Sequence, residues 1–68
     1  MKEEIYRAIR TDLILREKIA RVLEVQAATV YAYAVRRSER LEMFKSVEVI
    51  RGHLGLKSSE ILESRDGR

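Results

Sequence analysis

The chain has 68 residues, with 46% apolar and 37% charged residues and a formal net charge of +3. That length is enough for one domain with a small core, and the apolar fraction argues against disorder. It contains no cysteine, which excludes a disulfide framework and thiolate chemistry. No apolar run approaches the 18 residues of a membrane span, and Met1-Lys2-Glu3-Glu4 lacks the apolar stretch of a secretory leader. A cytoplasmic protein is expected.

There is no proline, and all three glycines follow residue 51. The first three quarters of the chain therefore carry neither strong helix breaker. Residues 2–11 predict a first helix, with Ile5 and Ile9 on one face. Asp12 suits the N-cap of a second helix, where Leu15, Ile19, Val22 and Leu23 form an inward stripe. A break is expected at Glu24-Val25. A third helix then runs from Gln26 to Arg37, with Val30, Tyr33 and Ala34 inward. Ser38 is placed to cap a fourth helix carrying Leu41, Phe44, Val47 and Ile50, and Gly52 to end it in a left-handed conformation. Ser58 or Ser59 caps a short last helix with Ile61 and Leu62.

The fold class expected is all-α, a compact bundle of four to five short helices. One domain over residues 1–63 and a polar, frayed tail over residues 64–68 follow from this pattern. Two passages read alternatively as strands. Val30 to Val35 mixes β-branched, aromatic and alanine residues, and Val47-Glu48-Val49 alternates well enough for a short strand.

Charge is uneven: +1 over residues 1–24, +2 over residues 25–45 and zero over residues 46–68. The basic excess peaks at Arg36, Arg37 and Arg40. Ten of the fourteen basic residues are arginine, whose planar fork suits phosphate.

The segment Arg16 to Val35 carries the functional reading. Ile19-Ala20 is an aliphatic–small pair, Leu23 ends a helix, Val25 follows a turn, and Val30 and Tyr33 face back toward the first helix. Two helices crossing closely at a steep angle need a side chain no larger than methyl at the contact, which Ala20 provides. These six positions resemble the helix-turn-helix of Cro- and phage-repressor-type regulators, the lambda repressor-like superfamily. Where that family places glycine in the turn, this chain has Glu24, predicted to take a positive φ.

The resemblance implies that the second motif helix enters the major groove of double-stranded DNA. Gln26, Ala27, Ala28, Tyr31 and Ala32 would then face bases, with Gln26 suited to adenine and Ala27 or Ala28 to a thymine methyl. Arg16, Thr29, Arg36, Arg37 and Arg40 would contact phosphates. Transcription regulation by a homodimer is implied, with reading helices on half-sites roughly 34 Å apart. Phe44, Val47, Ile50 and Leu54 are the candidates for combined core and dimer contact.

A second reading stands beside this one. The outward face of the third helix, Ala28, Tyr31, Ala32 and Val35, holds no basic residue before Arg36. Such a face also fits a protein-interaction module: an antitoxin, an adaptor or a phage accessory factor. Enzyme chemistry is not expected. His53 is the only histidine and has no cysteine to join it in a zinc site, so it reads as a loop or cap residue. No glycine-rich phosphate loop is present, and neither a cofactor, a metal nor a small-molecule substrate is expected.

Overall fold

The computed structural model describes residues 1–62; the expected tail at 64–68 and the domain end at 63 lie outside the described residues. Five α-helices follow one another: α1 (Glu3–Thr11), α2 (Leu13–Leu23), α3 (Ala27–Arg36), α4 (Phe44–Leu54) and α5 (Ser58–Ile61). A 3₁₀ helix, Glu39–Glu42, joins α3 to α4. The described residues contain no strand, and both passages with strand character are helical. Tertiary packing decides these ambiguous runs, because each buries one side against a neighbouring helix.

The local chemistry of the first half is as expected. Glu3 and Glu4 occupy the first turn of α1, favourable for the helix dipole. The Asp12 carboxylate accepts from the Leu15 amide at 3.1 Å and caps α2. Glu24 takes φ 59° and ψ 45°. Its amide donates to the Arg21 carbonyl at 3.3 Å, and the Val25 amide donates to the Ala20 carbonyl at 3.0 Å. This pair of bonds is a Schellman closure, which satisfies carbonyls the helix end would leave open. Arg37 repeats the device at the end of α3, with φ 54° and a Ser38 amide bond to the Tyr33 carbonyl at 2.9 Å.

The second half departs from expectation in four places. Ser38 caps the 3₁₀ helix, accepting from the Arg40 amide at 3.1 Å, and α4 starts only at Phe44. The inward stripe of this region is therefore divided. Leu41 fills the core from the 3₁₀ helix, Val47 and Ile50 fill it from α4, and Phe44 is left outside at 77% exposure. Gly52 does not end α4; Gly55 does, at φ 69°, because burial of the face continues past Gly52 to the half-buried Leu54. Ser58 begins α5 instead of capping it, and the Lys57 amide donates to the Glu60 carboxylate at 2.8 Å.

The core joins all five helices. Ile5, Tyr6 and Ile9 come from α1, Leu15, Ile19 and Ala20 from α2, Val30, Tyr33 and Ala34 from α3, with Ile61 closing from α5. α2 packs against both α3 and α4, and α1 lies across α3 and α2. Two backbone-level ties hold the chain start: the Lys2 amide donates to the Ile61 carbonyl at 2.9 Å, and the terminal ammonium pairs with Glu42. Of the four residues expected to serve core and dimer together, Val47 and Ile50 are buried in this core, Leu54 is half-buried and Phe44 is exposed.

Two stability changes follow from the backbone. Glu24 holds a left-handed conformation and also places a carboxylate at the negative end of α2. Glu24→Gly is expected to raise the melting temperature, measured in dilute solution, by roughly 4–8 °C for a gain of about 1 kcal/mol. Gly52 is helical, and a Cβ there meets nothing within 4 Å. Gly52→Ala is expected to stabilise by about 0.5–1 kcal/mol in urea unfolding, whereas Gly55→Ala destabilises because it forces alanine to positive φ.

Candidate nucleic-acid interface

The turn from Glu24 to Gln26 sets α3 against α2, so that Val30, Tyr33 and Ala34 face inward and the opposite side is free. Gln26 lies at the N-cap of α3 in extended conformation and makes no side-chain cap bond. Ala28 and Tyr31 are exposed, and Ala27, Thr29 and Ala32 are half-buried. The five expected base-facing residues therefore line the first two turns of one helix. No carboxylate occupies the first turn of α3, so its uncapped amides present positive potential outward.

The expected phosphate contacts are divided by the structure. Arg16 does not point into open solvent. Its Nη1 donates to the carbonyls of Ile9 at 2.9 Å and Arg10 at 2.6 Å, closing the end of α1. The same guanidinium lies over the Tyr31 ring, 5.4 Å from its centroid. Arg16 thus fixes the aromatic ring on the outer face of α3. Arg37 pairs with Glu3 through two hydrogen bonds, at 2.6 and 3.1 Å, and lies 5.7 Å from the Tyr6 ring. That contact holds the Glu3 carboxyl below its ordinary value, chiefly through the hydrogen bond from Arg37.

Arg36 and Arg40 are exposed and make no ion pair among the described residues. Both guanidinium groups gather at the Tyr33 ring, 5.7 and 5.9 Å from its centroid. Arg36 ends α3, about 15 Å from Gln26 by helical rise, and Arg40 joins it from the 3₁₀ helix that follows. The structure therefore joins Arg36 with Arg40, and Arg16 with Tyr31, but keeps the two groups apart.

Two features of this face are absent from the sequence reading. Leu13 and Ile14, in the first turn of α2, are 53% and 59% exposed. Leu13 joins Arg16, Ala27, Ala28 and Tyr31 around a shallow groove of 350 Å³. The signal was the triplet Leu13-Ile14-Leu15, because three consecutive helical residues span about 200° and cannot all face the core. The second feature is His53, which is helical and half-buried rather than in a loop. Its Nε2 lies 2.9 Å from Asp12 Oδ2 and its Nδ1 lies 3.1 Å from Lys18 Nζ. An ammonium only donates, so Nδ1 accepts from Lys18 while Nε2 carries the proton donated to Asp12. This bridge ties α4 to the cap of α2. No local signal marks a contact across 41 residues.

Comparison with protein-family models, curated proteins and solved structures finds no match to this chain. No group of three or more metal-ligating side chains occurs among the described residues. No helix among them is long and apolar enough to cross a membrane.

The Asp12 carboxyl is held below its ordinary value of 3.8, first by the His53 hydrogen bond and then by the Leu15 amide. A carboxyl with a lowered folded-state value stabilises the fold above the unfolded value, and that contribution disappears as pH falls through the folded value. Asp12→Ser retains a capping oxygen and removes the carboxylate. The melting temperature of the parent is expected to exceed that of the variant at neutral pH, with the gap closing below about pH 4. A gap independent of pH in thermal melts would remove the carboxylate from this account.

Proposed function

We propose that the chain binds double-stranded DNA through the first two turns of α3, as a small transcription regulator of the prokaryotic or phage type. The observation that carries the reading is the outer face of α3. Gln26, Ala28 and Tyr31 are exposed there beyond a left-handed turn, with no carboxylate in the first turn. The resemblance of Arg16 to Val35 to the Cro and phage-repressor motif supports it. Gln26 would read adenine, and the alanines would lie against thymine methyls.

Arg36 and Arg40 are the phosphate contacts this reading retains, because both lack a carboxylate partner. Arg16 becomes a positioning residue for Tyr31. Arg37 is engaged by Glu3 and contributes through that contact instead. A cytoplasmic location goes with this function, and enzymatic chemistry does not.

A second reading rests on a specific observation. Leu13, Ile14, Tyr31 and Val35, all on α2 or α3, are between 45% and 59% exposed. A protein partner of the antitoxin, adaptor or accessory-factor kind would cover such apolar side chains.

Selection from random duplexes, followed by titration at increasing salt, separates the two. The DNA reading expects an enriched sequence, with affinity falling steeply between about 50 and 200 mM salt. Ala28→Glu is expected to weaken binding at least tenfold without changing the circular dichroism spectrum, because position 28 is exposed. Absence of both an enriched sequence and salt-sensitive binding overturns the proposal.

A further inference from the structure

Phe44 is the most exposed large apolar residue among those described, at 77%, and Met43 beside it is 49% exposed. Both border a groove of 530 Å³ between the α2–α3 turn and the start of α4. Val22, Leu23, Val25 and Tyr33 line its apolar wall. The charged residues on it are Glu24, on the turn side, and Arg40 and Lys45, on the α4 side. A protruding aromatic ring and an apolar cleft are thus contiguous on one patch, with opposite charges on its two sides.

We infer that this patch is the contact surface for a second copy of the chain, related by a two-fold axis, with Phe44 of each copy seated in the groove of the other. A two-fold contact brings each patch against itself reversed. With that axis set across the line from the turn to α4, the turn side of one copy meets the α4 side of its partner. Glu24 consequently faces the cations at residues 40 and 45 across the contact, and the apolar wall receives Phe44. The charge arrangement selects a copy of this chain over an acidic or basic partner, since either of those would meet one like charge. The patch excludes the base-facing residues Tyr31 and Ala28 and shares only Arg40 with the proposed DNA contact, so self-association is tested without DNA. A domain of this size has a thin stability margin, and burial of an exposed phenylalanine in both copies would add to it.

Sedimentation equilibrium of the whole chain, from low to high micromolar concentration, tests this. The parent is expected to dimerise reversibly. Phe44→Ser is expected to raise the dissociation constant roughly 30-fold or more, as loss of a central aromatic does, with an unchanged circular dichroism spectrum. A charge swap identifies the geometry. Glu24→Lys and Lys45→Glu should each dimerise several-fold more weakly alone, because each homodimer sets like charges together. Mixed in equal amounts they should pair more tightly than either alone, because both contacts between positions 24 and 45 are again of opposite sign while Arg40 is the same in every combination. Glu24→Gly, although more stable as a monomer, should also self-associate more weakly. A parent that stays monomeric throughout the range overturns the inference and leaves the patch to a different protein. A dimer indifferent to Phe44→Ser, or a mixture no tighter than its separate components, overturns it equally.

Discussion

The reversal at Glu24 governs the arrangement of the molecule. Two bonds, Glu24 to Arg21 and Val25 to Ala20, stop α2 within one residue and redirect the chain. Everything on α3 takes its orientation from that point. Ala20, buried at 6% exposure, leaves room for the two helices to approach. Val30, Tyr33 and Ala34 then meet the core, and Gln26, Ala28 and Tyr31 necessarily face away. The conformation is held although the residue is glutamate, so packing outweighs a local cost on the order of 1 kcal/mol.

Arginine serves three different purposes in this fold. Arg16 closes the carbonyl end of α1 and carries the Tyr31 ring on its guanidinium plane. Arg37 joins α3 to α1 through Glu3 while its own backbone closes α3. Arg36 and Arg40 flank Tyr33 and keep their charge exposed. Net charge alone does not separate these roles. An arginine with carbonyl or carboxylate partners inside the fold gives little to an outside phosphate, since its donors are already directed elsewhere.

The helix pattern, the Asp12 cap, the left-handed turn at Glu24 and the buried positions Ile5, Ile9, Leu15, Ile19, Val30, Tyr33 and Ala34 were legible in the sequence, whereas Tyr6 joins the core unannounced and Val22 and Leu23, expected inward, are half-buried along the groove. Each depends on residues within about five positions, where periodicity and capping chemistry act. The region from Ser38 to Gly55 was less legible. Leu41 and Phe44 have nearly helical spacing, but a 3₁₀ helix takes the first inward and a new α-helix leaves the second outside. Ser46 shows why: it is fully buried and donates to the Arg40 carbonyl at 3.1 Å, so it anchors the junction that periodicity treats as continuous.

At the candidate interface the division is similar. The residues on the outer face of α3 followed from the sequence, because position on a helix fixes which side a residue occupies. Which cations remain available did not follow. The partners of Arg16 and Arg37 lie 6 to 34 residues away, and His53 meets Asp12 across 41. The sequence by itself determined the helices, the turn and the face that is offered. Only the tertiary structure decided which side chains on that surface keep free charge and where Phe44 is left uncovered, because those depend on neighbours brought together by packing.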